Sequence, residues 1–195
     1  MLEQHYLTAL FEPKSVAVIG ASDRENSVGN IIFKNILSSG YKGKLYAVNP
    51  KHETVQEQPS FKTIEEVGAR VEMAVIAVRP QTVPQIIEQC GRSGVRNVIV
   101  ISAGFSESGH IGAALERKML EIARSYNVRI LGPNCLGLIR PDLGLNATFA
   151  RINANPGNLA LVSQSGAMCS AVLDWAKSNN IGFSSVISLG MTADV

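Results

Sequence analysis

Residues 15–24 read SVAVIGASDR, a short unbroken apolar run that stops at a glycine and a turn of small and polar residues. A helical pattern follows this turn. A buried strand that ends in glycine and leads into a helix brings backbone N–H groups and a helix N-terminus to one point, where they attract phosphate groups. We therefore expect a nucleotide-binding site here, formed by Gly20, Ala21, Ser22, Arg24 and Gly29.

The spacing of this loop departs from the dinucleotide fingerprint G-x-G-x-x-G, because only Gly20 is in place and the turn is too long. The phosphate assignment therefore depends on the position of the loop. Ser22 offers a hydroxyl donor, and Arg24 is able to bind a phosphate through two parallel hydrogen bonds. The alternative interpretation is a solvated surface turn over residues 23–25, with Ser22 capping the helix.

The second predicted strand ends at Asn49, Pro50 and Lys51. A domain that binds NAD favours Asp or Glu at this point for the ribose hydroxyls. A lysine suits an additional phosphate on the ribose, which favours coenzyme A over a dehydrogenase cofactor. The alternative is a lysine that is merely solvated.

Composition restricts the class of protein. Of the 195 residues 46% are apolar, and the net charge of +2 comes without a basic run, so we expect a small-molecule ligand and no nucleic acid. Three scattered cysteines indicate reduced thiols in the cytoplasm. No apolar run reaches the ~20 residues that span a bilayer, and no signal core is present, so no membrane association is expected.

Apolar runs and helical patterns alternate along the first two thirds of the chain. This alternation predicts an α/β fold, with a parallel sheet of Rossmann type covered by helices on both faces. A lead-in containing Tyr6, Leu7, Leu10 and Phe11 is expected to pack on the sheet. The predicted strands are 15–19, 45–48, 73–78, 98–101 and 128–131, and the predicted helices are 29–39, 83–90 and 112–126, with a helical turn near 63–67.

Three further strand ends carry candidate site residues, because ligands of parallel sheets bind beyond the carboxyl ends of the strands. Pro80 fixes the backbone beside Val78 and Arg79, and a rigid apolar wall suits an adenine or a pantetheine arm. Small residues in the next turn allow a ligand close to the backbone, although an ordinary turn explains them equally well. The assigned residues are Val78, Arg79, Pro80, Ala103, Gly104, Phe105 and Asn134.

Cys135 is a tempting nucleophile, but no activating partner is assigned to it, so a buried and inert thiol is expected. We therefore predict no catalytic residue and no metal ligand in this chain. The candidate at this strand end is Asn134, through its side-chain amide.

The alternation lapses over residues 138–158, which we interpret as the boundary between two domains, 1–154 and 155–195. A new unit follows, with a strand at 159–162, a helix at 167–178 and a strand at 184–188. The turn between strand and helix is expected to bind a phosphate or to cap the helix; its residues are Ser163, Gln164, Ser165 and Gly166. Two strands and one helix cannot bury a core alone, so this unit either packs against the first domain or belongs to a fragment of a larger protein, and we favour the fragment.

Taken together, these strings resemble the α-type region of the NDP-forming, or ADP-forming, acyl-CoA synthetases, the superfamily of succinyl-CoA synthetase. The most specific strings are GPNCLG at 132–137 and SQSGA at 163–167. The opening, from His5-Tyr6-Leu7 to Ser15, further resembles bacterial multidomain lysine acetyltransferases, which carry a GNAT domain.

The resemblance implies a CoA-binding Rossmann-like domain followed by the start of a flavodoxin-like succinyl-CoA-ligase domain. Coenzyme A or acetyl-CoA would contact the strand-end residues given above, with Asn134 near the thiol end and residues 163–166 receiving phosphate. ATP or ADP and Mg²⁺ would bind outside this chain, on an ATP-grasp domain or a β-subunit. The phosphate-accepting histidine would also lie beyond Val195. Homo-oligomerisation is left open.

Three functions remain open at this stage. The first is the CoA- or acyl-CoA-binding portion of an enzyme that interconverts acyl-CoA, ADP and phosphate with acid, CoA and ATP through a phosphohistidine. The second is a non-catalytic acetyl-CoA-sensing module of a lysine acetyltransferase. The third is an NADP-binding reductase domain, which keeps the phosphate argument but shows no proton-donor constellation.

Overall fold

The first of two β-sheets contains the predicted parallel strands. A computed structural model describes residues 7–194 of the chain. The strands of this sheet are β1 (Ser15–Ile19), β2 (Lys44–Val48), β3 (Thr54–Val55), β4 (Gln58–Phe61), β5 (Met73–Ile76), β6 (Asn97–Val100) and β7 (Arg129–Leu131). They lie in the order β3-β4-β2-β1-β5-β6-β7. Neighbouring strands are parallel, except that β3 is antiparallel to β4. Numbered by chain position, the parallel strands run 3-2-1-4-5-6, the order of the doubly wound Rossmann fold.

Helices cover both faces of this sheet, as the sequence predicts. They are α1 (Thr8–Phe11), α2 (Val28–Ser38), α3 (Val83–Arg92) and α4 (His110–Ser125). All five residues of β1 are buried. Val16 and Val18 face one core, which includes the apolar side of α2, whereas Ala17 and Ile19 face a second core with α3 and α4. Because successive side chains of a strand point to opposite faces, this burial on both sides explains why β1 is a continuous apolar run.

The lead-in packs as expected where the structure describes it. Leu10 in α1 is buried, and Leu7 and Phe11 pack against the same core. Tyr6 and His5 lie outside the described residues. No helix within residues 7–194 is long and apolar enough to cross a membrane.

A second sheet follows the first. Its strands are β8 (Gly137–Arg140), β9 (Leu145–Thr148), β10 (Asn155–Ser163) and β11 (Gly182–Ser188), and α5 (Gly166–Ser178) connects the last two. The order is β10-β11-β8-β9, with β10 and β11 parallel and the other pairs antiparallel. The new strand-helix-strand unit was predicted from the sequence, but the hairpin β8–β9 was not.

The hairpin joins the two sheets. Its first strand, β8, pairs with β11, while Leu138 and Leu145 belong to the core beneath α2. Asn35 of α2 donates from Nδ2 to the carbonyls of Thr148 at 2.8 Å and Ala150 at 2.9 Å. The hairpin therefore supplies the packing partner that a lone strand-helix-strand unit lacks.

Short, polar strands account for the elements that the sequence pattern missed. β3 and β4 contain two and four residues, and residues 58–61 read QPSF, without an apolar run. In the hairpin, the turn Pro141–Leu143 and Gly144, at φ +63°, interrupt the apolar residues of β8 and β9. Periodicity needs longer segments than these to give a signal.

Candidate functional site

The centre of the candidate site is the point where the strand order of the first sheet reverses. β1 lies between β2 and β5, so chain connections leave it in opposite directions. In open α/β sheets ligands bind at such a point, in a crevice outside the carboxyl ends of the strands. Gly20 follows β1 at φ +94°, and a Cβ on it would lie 2.4 Å from the carbonyl oxygen of Ala77 after β5. Only glycine permits this turn, which brings the backbone of the two loops together.

Helix α2 begins at this crevice. Ser27 caps it, accepting a hydrogen bond from the Asn30 N–H at 3.3 Å. A Cβ on Gly29 would lie 1.8 Å from the Gly20 carbonyl oxygen, so the glycine allows the helix N-terminus to approach the strand end. The first-turn N–H groups of a helix have no intrahelical acceptor. Gly20 and Gly29 thus perform the turn and packing roles of the dinucleotide fingerprint at a different spacing.

Side-chain amides hold the loop between β1 and α2 in place. The Asn30 Nδ2 donates to the Ser22 carbonyl at 2.9 Å, and the Ser22 Oγ accepts from the Arg24 N–H at 3.0 Å. Ser22 therefore stabilises its own turn, and the alternative interpretation in which it caps α2 is wrong, because Ser27 occupies that position. The Arg24 residue is exposed beside this turn.

Asn49 connects the ends of β1 and β2. Its Nδ2 donates to the Ala21 carbonyl at 2.7 Å, and its Oδ1 accepts from the Lys51 N–H at 2.9 Å. Both polar ends of the side chain are thus engaged in fixing the two loops. Pro50 and Lys51 are exposed at the same edge.

Ser102 connects the ends of β5, β6 and β7, and sequence reasoning did not single it out. Its Oγ donates to the Val78 carbonyl at 2.6 Å and accepts from the Val78 N–H at 3.3 Å. Its carbonyl accepts from the Asn134 N–H at 3.0 Å. The residue is 9% exposed. The sequence signal that would have identified Ser102 is a serine directly after a predicted apolar strand.

The loops after β5 and β6 also touch each other. A Cβ on Gly104 would lie 2.8 Å from Cγ of Pro80, so the proline ring lies against the glycine. Arg79 and Ala103 are exposed at this point, and Val78 is half-buried. Val78, Arg79, Pro80 and Gly104 therefore lie together at the ends of β5 and β6.

Phe105 was expected to contact a ligand, but its side chain lies in the core. Its side chain is fully buried in the core with α3 and α4. Its N–H donates to Glu107 Oε2 at 3.1 Å, and its carbonyl accepts from Ser108. The Gly104 N–H likewise donates to Glu107 Oε1, at 2.6 Å. Phe105 therefore anchors the loop from within the core, and Glu107 already occupies its N–H group.

Asn134 lies exposed at the end of β7, at φ +53°. Cys135 beside it is buried, and burial raises the pKa of its thiol to about 12. Its Sγ lies 3.4 Å from the Val100 carbonyl oxygen. A thiol in this state is protonated at neutral pH, so the structure agrees with an inert cysteine.

The turn before α5 completes this edge of the molecule. Ser165 caps α5 by accepting from the Met168 N–H at 3.2 Å, and Ser163 Oγ accepts from the Ser165 N–H at 3.1 Å. The capping interpretation is therefore correct for Ser165. Gln164 is exposed, and Gly166 packs against Leu136.

Hydrogen bonds link this turn to the end of β7. The Leu136 N–H donates to Ser188 Oγ at 3.0 Å, and the Leu189 N–H donates to the Ser163 carbonyl at 2.8 Å. The Met191 N–H donates to the Pro133 carbonyl at 2.9 Å. A continuous set of contacts thus runs from the loops after β2 and β1 through the ends of β5, β6 and β7 to the turn before α5. We call this set the strand-end rim.

The fold defines a doubly wound α/β protein, and the rim lies at the topological switch point where ligands of this fold class bind. Residues 14–141 match the model of the CoA binding domain family, and residues 156–195 match that of the succinyl-CoA ligase like flavodoxin domain. The chain belongs to the CoA-binding domain family and continues into a ligase-like domain, which confirms the resemblance to the ADP-forming acyl-CoA synthetases.

Several relatives are similar to this chain in sequence, and one solved structure is similar in fold. The chain is 47% identical over 184 residues to the acetate–CoA ligase (ADP-forming) I of Archaeoglobus fulgidus, covering 94% of this chain and 27% of the relative. It is 45% identical to the α subunit of the corresponding enzyme I of Pyrococcus furiosus, covering 97% and 42%. A dinucleotide-forming acetyl-coenzyme A synthetase from Ca. Korarchaeum cryptofilum, solved with phosphate and ADP, is 39% identical with a TM-score of 0.93, covering 97% and 40%.

These findings also decide among the alternatives. They do not support an origin in a GNAT acetyltransferase, an acetyl-CoA sensor of such an enzyme, or an NADP-binding reductase, because the matched families and these relatives are those of CoA ligases. The chain spans well under half the length of the relatives described above.

Proposed function

We propose that this chain binds coenzyme A or an acyl-CoA at the strand-end rim and serves as the CoA-binding portion of an ADP-forming acyl-CoA synthetase. The observation that carries the proposal is the hydrogen-bonded continuity of the rim. Six loops that are distant in sequence meet at the carboxyl edge of the strands, the edge at which ligands of doubly wound sheets bind.

The residues of the rim suit the successive parts of the coenzyme. The backbone at Gly20 and Ala21, with Ser22 and the start of α2 at Gly29, suits the diphosphate, because helix N-terminal N–H groups favour anions. Arg24 and Lys51 are exposed cations beside this loop and suit the additional ribose phosphate. Asn49 fixes the two loops that carry them.

The remaining residues suit the uncharged arm. Val78, Arg79 and Pro80 form a wall that packs against Gly104, and Ala103 is exposed at the same level. We place the pantetheine arm along this wall, with its thiol end towards Asn134. Phe105 supports the wall from the core.

The turn at residues 163–166 suits a phosphate or a phosphorylated side chain next to the thiol end. Ser163 Oγ and Ser165 Oγ each accept a backbone hydrogen bond within the turn, so their O–H groups remain available as donors. The exposed Gln164 and the other first-turn N–H groups of α5 are further candidate donors. In the proposed reaction the bound coenzyme supplies the thiol that accepts the acyl group of an acyl phosphate, and inorganic phosphate leaves. The hydrogen bond between Met191 and Pro133 keeps the two ligand regions adjacent.

We assign the ATP- or ADP-binding function to a further domain or subunit, such as an ATP-grasp domain or β-subunit. The relatives are longer than this chain, and one is a separate α subunit. Large apolar side chains lie exposed on β10 and α5, and we expect a partner domain to cover them: Leu159, Val162, Met168 and Trp175. Residues 7–194 contain no group of three or more metal-ligating side chains, so no Mg²⁺ step is assigned to them. We retain the division at residues 154 and 155 as a proposal.

Calorimetry with two forms of the coenzyme tests the proposal. CoA and acetyl-CoA should bind the purified protein, and dephospho-CoA should bind more weakly because it lacks the ribose phosphate. Lys51→Gln should weaken CoA binding roughly 10- to 150-fold, the value of one charge-assisted hydrogen bond, and leave dephospho-CoA binding unchanged. The matched control is Lys118→Gln on α4, away from the rim. The assignment would be rejected if Lys51→Gln weakened the binding of CoA and dephospho-CoA equally, or if the protein did not bind CoA.

A further inference from the structure

A second concave site lies at the opposite edge of the first sheet. A cavity of about 670 Å³ opens between the turn that precedes β5 and the end of α3. Arg70 precedes β5 and Arg96 precedes β6, so the cavity is at the amino ends of the strands, away from the strand-end rim. Its volume lies within the range of small-molecule sites.

The lining of this cavity is rich in positive charge. Its lining includes three arginines, Arg70, Arg92 and Arg96, and a single acidic residue, Glu65. Arg92 pairs with Glu88 on the same helix. Arg96 donates only from Nη1, to the Gly91 carbonyl at 3.2 Å, and within the described residues the Arg70 guanidinium has no partner. Two arginines therefore retain most of their donors for a ligand.

Ser93 adds an unsatisfied hydroxyl group to the same lining. Its Oγ is buried and has no hydrogen-bond partner within the part of the chain described. Buried polar atoms nearly always have partners, so such a group indicates that one is missing. A rotation about χ1 turns a serine hydroxyl without moving the backbone.

Backbone turns leave the cavity open. Gly94 is at φ +80°, and a Cβ on it would meet no atom within 4 Å. Gly68 is at φ +63°, and its nearest neighbour would be a backbone oxygen at 3.9 Å. A ligand can approach the polypeptide closely at both points.

We propose that this cavity binds a small polyanion with two adjacent phosphate groups, such as pyrophosphate or the diphosphate of a nucleotide. Arg70 and Arg96 would each bind phosphate oxygens through paired N–H donors, since the guanidinium fork matches that geometry. Ser93 would bind a third oxygen. Two exposed arginines and a serine around one concave surface favour a compact polyanion over an acidic protein segment.

Titration with inorganic pyrophosphate tests this site separately from the coenzyme site. Pyrophosphate should bind the purified protein when CoA is saturating. Arg70→Gln and Arg96→Gln should each weaken this binding at least tenfold, whereas Arg117→Gln, an exposed arginine on α4, should have no effect. Comparing pyrophosphate with ADP and AMP then distinguishes a free diphosphate from a nucleotide.

Ser93→Ala gives a readout independent of folding. Because this variant loses a hydroxyl that has no partner, its thermal unfolding midpoint should be unchanged or higher. Its binding of pyrophosphate should nevertheless be weaker. Absence of pyrophosphate binding, its displacement by CoA, or equal affinities of the Arg70→Gln and Arg117→Gln variants would overturn the proposal. Binding of an acidic peptide in place of pyrophosphate would overturn it in favour of a protein-interaction surface.

Discussion

Ser102 shows how one side chain organises the candidate site without being one of its ligand contacts. Its hydroxyl bonds to both backbone groups of Val78, and its carbonyl accepts from Asn134. The three strand ends that would hold the uncharged arm of the coenzyme therefore depend on one buried serine. Its role is to position the loops.

Ser102→Ala should lower the free energy of unfolding by about 1–3 kcal/mol, because the backbone groups of Val78 lose a buried partner. Binding of CoA should weaken as well, since the Val78 loop is no longer fixed. Denaturant titration and calorimetry measure the two effects. In the control Ser125→Ala, whose Oγ donates to the Ile122 carbonyl at 2.8 Å at an exposed site, both quantities should stay nearly constant. Identical effects of the two variants would contradict the positioning role.

Two buried thiols make stability depend on alkaline pH. Burial raises the pKa of Cys90 to about 12 and that of Cys135 to about 12, from an ordinary value of 9.0. A raised folded pKa means that the neutral thiol is favoured in the folded state. This contribution to stability is complete below pH 9 and is lost as the pH rises towards 12.

The free energy of unfolding should therefore fall between pH 9 and pH 11, by up to about 1.4 kcal/mol per pH unit for each of these thiols. The double variant Cys90→Ala/Cys135→Ala should be less stable at pH 8 but show a shallower decline. Guanidinium unfolding at several pH values measures both slopes. Burial also raises the pKa of Tyr41 to about 12. Because both proteins contain Tyr41, it does not affect the difference between their two slopes. Parallel slopes would show that the thiols do not contribute.

At the scale of elements, the approach of α2 to the end of β1 creates the proposed phosphate site. The helix comes this close because Gly29 has no Cβ to meet the Gly20 carbonyl. A similar close approach at a glycine occurs in α4, where a Cβ on Gly112 would lie 1.8 Å from the Phe105 carbonyl oxygen. Two strand-to-helix connections thus use a helical glycine to bring the helix start to the strand end.

Gly29→Ala should force α2 away from the β1 loop, lowering the free energy of unfolding by about 1–3 kcal/mol and weakening CoA binding. The neighbouring change Val28→Ala, at a residue 39% exposed, should leave stability within about 0.5 kcal/mol. Thermal unfolding and calorimetry of both variants provide the comparison. A Gly29→Ala protein that binds CoA with unchanged affinity would show that the close approach is unnecessary.

For the whole molecule, the hairpin β8–β9 decides how the two sheets are joined. It pairs with β11 on one side and packs against α2 on the other. Arg140, in β8, further donates to the carbonyls of Phe11 at 2.9 Å and Ser184 at 3.1 Å. The region proposed to bind the coenzyme and the turn before α5 are therefore held in one arrangement by a hairpin that lies within the predicted first domain and pairs with the second sheet.

Asn35→Ala should loosen this connection, because the carbonyls of Thr148 and Ala150 lose their donor. We expect a loss of about 1–3 kcal/mol in stability and faster proteolysis within residues 149–154. The control is Asn179→Ala, which removes an exposed bond to the Trp175 carbonyl at 2.8 Å. Equal cleavage rates in the two variants would argue against a joining role for Asn35.

The sequence was sufficient for the parallel sheet and for most of its helices. Buried parallel strands are continuous apolar runs, and β1, β5 and β6 gave this local signal clearly. The sequence also predicted the turns at glycine, the approximate starts of the helices and the location of the candidate residues at strand ends. Phe105 was misplaced as a ligand contact, because its burial depends on α3 and α4, which are distant in sequence.

The sequence by itself determined the order of strands and helices along the chain, because hydrophobic periodicity and turn residues act locally. Only the tertiary structure decided the spatial order 3-2-1-4-5-6, the bonds that Ser102 and Asn49 make between loops, and the pairing of the hairpin with β11. These depend on contacts between residues far apart in the chain, whose free energy has no counterpart in any local pattern.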